Sequence, residues 1–243
     1  MKCLHAPVLL LCCFLSTQVQ AQNSFQSGSP YTGTTVTVNG NDVMLPAYAA
    51  EKDKFEGSTY FSKEWAPGSV TTTDNTVFSE NLLFMYDKMN NELYYKKRDS
   101  PATWKVDLTK VSGFSLETER PHIFMRADYF NKDYTGQYFE VLLLDEKKYS
   151  LLKYMKVTYE ENIASKGSQA MNQNFSTGKY VDNVKYFLFK DGVSTEVTLK
   201  KKRFEEGLGA DAEKAQAYFK DHSGNFNEQA AISLVTEVNS QLN

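Results

Sequence analysis

Outside its first twenty-one residues the chain has two histidines, His122 and His222, so any imidazole chemistry must run through them. Neither stands in a His-x-x-x-His or Cys/His cluster, and the ligand spacing of a structural zinc site is missing. His222 falls where a helix should end, a place where a cation meets the favourable end of the helix dipole. His122 follows Pro121 at the start of an expected strand. The common nucleophile arrangements lack a local signature, because there is no Gly-x-Ser-x-Gly elbow and all three cysteines, Cys3, Cys12 and Cys13, lie at the extreme N-terminus. A dispersed Ser-His-Asp triad would have to be assembled by the fold.

Carboxylates are more plentiful. Asp107, Glu117, Asp128 and Glu140 fall on or near expected strands, and hydrolysis of a glycan needs two carboxyl groups converging across a cleft. Ion pairing with nearby lysines is the ordinary alternative. "NKDYTG", Asn131 to Gly136, has the one-three-five spacing of a calcium loop in Asn131, Asp133 and Thr135, with Gly136 at position six. Position twelve is Leu142, where a bidentate acid is needed, and the flanking elements read as strands, so a polar turn is expected. No glycine-rich phosphate loop is present. Trp65, Tyr94, Tyr95 and Trp104 could stack on sugar rings, but they alternate with apolar strand residues, which suits burial in a β core better. Lys200-Lys201-Lys202-Arg203 is the one basic run and reads as a solvated helix start. With a formal net charge of −3, the chain lacks the basic footprint of a nucleic-acid binder. No cofactor or metal is expected, no catalytic residue is assigned, and the ligand is unknown.

The elements that must position these groups begin after a leader. In "MKCLHAPVLLLCCFLSTQVQAQ", Lys2 is a short positive region, Val8 to Leu15 is an apolar run, and Val19-Gln20-Ala21 has the spacing of a signal-peptidase site, so residues 1–21 are expected to be cleaved before Gln22. Leu11 before Cys12 and Cys12 before Cys13 do not supply the small residue that lipid attachment wants. No later segment reaches the roughly 20 apolar residues of a transmembrane helix. The mature chain then carries a formal charge of −4, no cysteine, and must be held by its core without disulfides.

Residues 22–56 read as a polar lead followed by a hairpin, Val36 and Val38 against Val43 and Leu45 around Asn39-Gly40, then a connector from Pro46 with helical character. Residues 57–199 read as an antiparallel β domain. Strands are expected at Ser69 to Thr73, Thr76 to Glu80, Leu82 to Tyr86, Glu92 to Lys97 and Thr103 to Leu108, with a further strand carrying Phe114 and Leu116 opposite Ser115 and Glu117. Ile123 to Phe130, Tyr138 to Leu144 and Tyr149 to Tyr159 continue the series. In the last, Leu151, Lys153, Met155, Val157 and Tyr159 share one face and Leu152 and Tyr154 the other, so it should be covered on both sides. A helix is the alternative for this stretch, and "DEKK", read as the turn before the strand, lacks Gly or Pro, which weakens that reading. Asn162 to Lys179 reads as a long loop, and Val184 to Phe189 with Val193 to Leu199 as a hairpin around Asp191-Gly192. Residues 200–243 change to helical period. One helix carries Ala215, Tyr218 and Phe219, capped by Asp211 and stopped at Gly224. The other carries Ala231, Leu234, Val235, Val238 and Leu242, capped by Asn227. The fold class is mainly β, an antiparallel meander, sandwich or open barrel-like sheet, closed by two C-terminal helices.

Tyr60-Phe61, Trp65, Pro67-Gly68, Val70, Leu83, Tyr86-Asp87 and Leu93, followed by "GQYFEVLLLDEKKYSLLKY", resemble a family of exported β-rich proteins of Gram-negative cell envelopes. The likeness runs loosely over residues 57–199. Phe84 departs from its pattern, as do Asp74-Asn75 and Glu146-Lys147 where Gly is usual. That family has no assigned activity, so the resemblance implies fold and location. The expectation is a non-enzymatic exported module of the cell envelope, periplasmic, outer-membrane-associated or secreted, binding an envelope protein, glycan or lipid by its surface. The alternatives are a carrier or sensor of an apolar ligand such as a lipid, and then a glycan hydrolase.

Overall fold

The computed structural model describes residues 34–38, 41–45, 55–161 and 178–242. The leader, the connector from Pro46 and most of the Asn162–Lys179 stretch lie outside them. The chain divides into two units, Met1–Asp53 and Lys54–Asn243. In the first, β1 (Thr34–Val38) pairs antiparallel with β2 (Asn41–Leu45), Val38 opposite Asn41.

The second unit is built on one long sheet. In spatial order it runs β14 (Val193–Val197), β13 (Gly178–Lys190), β12 (Ser150–Glu161), β11 (Tyr138–Leu143), β10 (Pro121–Arg126), β9 (Val111–Glu117), β4 (Gly68–Thr72) and β5 (Val77–Phe78). Every neighbouring pair is antiparallel, and the two-residue β3 (Phe55–Glu56) adds a parallel pairing to the start of β13. A separate three-stranded sheet holds β6 (Leu82–Asp87), β7 (Glu92–Lys97) and β8 (Thr103–Lys105). Three helices close the chain: α1 (Lys201–Gly207), α2 (Ala212–Asp221) and α3 (Glu228–Ser240). The mainly β class with C-terminal helices is therefore as expected, with α1 in addition, grown from the basic run. No helix among the described residues is long and apolar enough to cross a membrane.

Turn chemistry accounts for much of the register. Asn75, Asn91 and Asp191 adopt φ of +65°, +54° and +50°, a region that short polar side chains tolerate. Asp191 is followed by Gly192 at +78°, the double left-handed turn that matches strand twist. Of the expected strand Thr76 to Glu80 only Val77–Phe78 pairs, and two further strands end early in 3-10 turns. Asp107 accepts a hydrogen bond from the Thr109 amide and starts a 3-10 turn at Leu108, so β8 stops at Lys105. Beyond Arg126 the chain enters another 3-10 turn, Ala127–Tyr129. In the other direction, β13 runs well upstream of Val184, and Gly178 and Lys179 belong to it rather than to the loop.

Three apolar clusters fill the unit. On one face of the long sheet, Val70, Phe114, Leu116, Phe124 and Tyr138 pack with Phe84, Tyr86 and Leu93 of the small sheet. On the same face, farther along, Leu151, Leu188 and Val197 pack with Phe204, Leu208, Ala215, Tyr218, Ala231, Leu234, Val235 and Val238 of the helices. Gly207 is required here, because a Cβ would meet Val197 Cγ1 at 2.2 Å. The opposite face has its own cluster of Phe139, Leu152 and Phe187 under Ala127 and Phe130. Strand β12 thus is covered on both sides, as its sequence requires: Leu151 and Leu152 are both fully buried.

The "DEKK" turn is held by α3 instead of by Gly or Pro. Asp145 caps the Lys147 and Lys148 amides. Lys148 Nζ donates to the carbonyls of Asn239 and Leu242 at 2.7 and 2.6 Å, a cation at the negative end of the helix. The Asn239 amide meanwhile bonds both the N–H and the C=O of Tyr149. Asp211 is not the cap expected for α2. Its side chain makes no capping bond and instead accepts from Tyr149 Oη (3.0 Å) and pairs with Lys190 (2.9 Å) and Lys214 (2.5 Å). Asn227 does cap α3, accepting from the Ala230 amide at 3.0 Å.

Candidate functional site

The registers place eight side chains in one row across the long sheet: Phe78, Val70, Phe114, Phe124, Glu140, Lys153, Tyr186 and Val197. Because cross-strand partners share a face, the row from Val70 to Val197 lies under the two covers, and Phe78 at its end is exposed. It is apolar at its two ends and ionic in the middle. The ionic stretch marks the seam between the small sheet and the helices.

Glu140 is the centre of that seam, 1 % exposed. Its Oε1 lies 2.6 Å from His122 Nδ1 and accepts from Arg120 Nη2 at 3.3 Å. Its Oε2 has Lys153 Nζ at 3.4 Å but no aligned hydrogen bond, so that contact is Coulombic. A second carboxylate arrives from above. Glu228, in the first turn of α3, pairs with Lys153 at 2.8 Å and Arg120 at 3.1 Å and accepts from Tyr186 Oη at 3.1 Å. Two carboxylates and two permanent cations cancel before His122 is counted. The His122 ring is packed edge-on to Phe61, 4.8 Å between centroids.

Burial pushes the Glu228 carboxyl up, but Lys153, Tyr186 and Arg120 more than offset it and leave it below the usual carboxylate range. Burial, and after it the Glu228 charge, pushes the Tyr186 hydroxyl up, so Tyr186 stays a neutral donor. Chemically the set can orient an imidazole through the His122 Nδ1 contact with Glu140 and balance charge. Acyl transfer would require a nucleophile on the histidine, and the side-chain bond of His122 is to Glu140, not to a serine.

The other sequence candidates disperse. Asp107 pairs with Lys110, and Asp128 holds Arg126 through both oxygens at 3.0 and 2.7 Å. Glu117 is exposed at the end of β9. His222 ends α2, with Nδ1 2.9 Å from the Tyr218 carbonyl and its ring stacked on Tyr218 at 4.0 Å. "NKDYTG" forms a 3-10 turn whose Asn131 side chain accepts from the Asp133 amide. Among the described residues no group of three or more acidic, histidine or cysteine side chains could hold a metal. Tyr94 is buried, while Trp65, Tyr95 and Trp104 are half-buried. Tyr95 stacks on Trp104 at 5.4 Å, and Lys96 lies over the Trp65 ring, so they form no exposed row.

Of the expected carboxylates only Glu140 enters a converging pair. Glu228, Arg120, Lys153 and Tyr186 were not singled out by motif. One signal did exist: Lys153 stands in an apolar face of a strand covered on both sides, so it had to have a buried partner. No family model matches the chain, and no curated protein or solved structure matches it.

Proposed function

We propose that the protein is an exported, non-catalytic β-rich module of the cell envelope that works by surface contact. The observation that carries this reading is the burial of Glu140 at the centre of the converging acid–base cluster among the described residues. Glu140 is sealed between two apolar clusters, and each carboxylate there is met by cations. A glycan hydrolase would keep its pair of carboxyls open to a sugar. Beneath the helices, where a carrier would hold an apolar ligand, Phe204, Leu234, Val235 and Val238 are themselves fully buried.

What faces outward suits contact. At the terminal strand β5, Val77 and Phe78 are 58 % and 51 % exposed, and Phe78 ends the cross-sheet row. A sheet edge with uncovered apolar side chains is a natural place for another chain to add. The N-terminal leader and the resemblance to exported envelope proteins support the location, with cleavage before Gln22.

The test is expression in a Gram-negative host with its leader. Intact mass should give a chain beginning at Gln22 in the periplasm or medium. Envelope material captured by the mature chain and identified by mass spectrometry should be lost with Val77→Lys/Phe78→Lys and kept with Glu140→Gln. Capture that follows Glu140 and ignores the β5 pair would refute the reading.

A further inference from the structure

Helix α3 is fixed to the sheet at both ends by polar groups of different kinds. At its C-terminal end the fastening contains no titrating acid: Lys148 Nζ bonds two backbone carbonyls, and the Asn239 amide bonds the Tyr149 backbone. Its N-terminal end is held by a carboxylate, Glu228. The charged and titratable groups packed against that carboxylate among the described residues come from several elements. Lys153 reaches it from β12, Tyr186 from β13 and Arg120 from the β9–β10 turn. Behind them stand Glu140 on β11 and His122 on β10.

We propose that α3 is a hinged cover, anchored at Asn239–Leu242, whose N-terminal turn is released from the sheet by acid. Protonation of Glu228 removes one of two negative charges that hold Lys153 and Arg120 together. Both cations are then left on Glu140 alone, at 3.4 and 3.3 Å, and any charge on His122 adds to their repulsion. The helix also loses its favourable negative charge at the N-terminus. The Asn239 and Lys148 bonds are untouched, so the far end stays down. A third fastening, Asp211 with Tyr149, Lys190 and Lys214, holds the start of α2 and keeps its charge to much lower pH, its carboxyl lowered to about 2 chiefly by the Lys214 hydrogen bond. Release is therefore confined to the α2–α3 connection and the first turn of α3. It uncovers the part of the apolar cluster that Ala231 closes. The inference does not depend on which partner the surface binds.

The mature chain has no cysteine, so single thiols can report each end. Ala231→Cys and Val238→Cys, both at fully buried positions, are reacted with 4,4′-dithiodipyridine from pH 7 to pH 3, because Glu228 sits below the usual carboxylate range, with rates normalised to a short thiol peptide. Reaction at position 231 should rise about fivefold on acidification, the order that one carboxyl lowered in the closed state allows by linkage, while position 238 changes less than about twofold, as expected of local opening. Adding Glu228→Gln should raise the position-231 rate at pH 7 and flatten its pH response. Equal acceleration at both positions, no acceleration at 231, or an unaltered pH response in Glu228→Gln would overturn the proposal. Should Glu228→Gln fail to fold by circular dichroism, Tyr186→Phe decides the matter. It removes one donor to Glu228 and must move the opening at position 231 to higher pH; an unmoved midpoint overturns the hinge.

Discussion

Replacing Glu140 by Gln tests whether the ionic middle of the cross-sheet row holds the fold together. The substitution keeps the shape and removes the charge. It leaves Lys153 with Glu228 at 2.8 Å and Arg120 with Glu228 at 3.1 Å, so neither cation is orphaned. Removing one partner of a fully buried pair costs about 3–5 kcal/mol. The surviving Glu228 contacts and the half-exposed Arg120 put this case below that range, at about 2–3 kcal/mol. For a unit of this size that is a fall in Tm of roughly 4–12 °C. Replacing Glu140 and Lys153 together by Met removes both charges, and should recover much of the loss because an apolar pair of similar volume avoids desolvation. Urea denaturation of the mature chain, read as the midpoint at unchanged slope, measures both. A loss under about 0.5 kcal/mol for Glu140→Gln, or a double variant worse than the single one, would refute the reasoning that this carboxylate is buried and coupled.

Leu151→Ala and Leu152→Ala should each cost about 3 kcal/mol, because adjacent residues of β12 face different clusters and both are fully buried; a sheet covered on one side only would spare one of them. Tyr149→Phe should cost about 1–2 kcal/mol through loss of the hydroxyl bonds to the Leu208 carbonyl and Asp211, at 2.9 and 3.0 Å, as urea midpoints will show. The Asp211 carboxyl is lowered in the folded chain to about 2, so its stabilising effect is complete above the unfolded carboxylate range and disappears as pH falls through about 2. Against Asp211→Asn the wild type should be more stable by no more than about 2 kcal/mol at pH 7, and the gap should close in strong acid. Asn227→Ala should cost about 1 kcal/mol by removing the cap of α3, and it should do so equally at pH 7 and pH 5.

Strand positions were legible because a period of two and a polar turn pair are local properties. Val193 to Val197, Asp191-Gly192 and the apolar stripe of α3 needed nothing beyond neighbours in sequence. The two strands that ended early did so through side-chain and backbone bonds over two or three residues, Asp107 to Thr109 and Ala127 to Phe130, which compete with strand pairing and leave little trace in hydropathy. Asp211 had the right type and place for a cap, but Lys190 and Lys214 lie close enough to claim its carboxylate. The charged "DEKK" turn was ambiguous because its stabilising partners, Asn239 and Leu242, are some ninety residues away.

By itself the amino-acid sequence determined the absence of cysteine beyond Cys13, a β body closed by helices, and two-sided burial of β12. These follow from composition and from alternation along single segments. Only the tertiary structure decided that Glu140 and Glu228 meet over Lys153 and Arg120. That meeting depends on the register of four strands and on where α3 lands, and a register is a relation between distant segments that no single stretch of residues encodes.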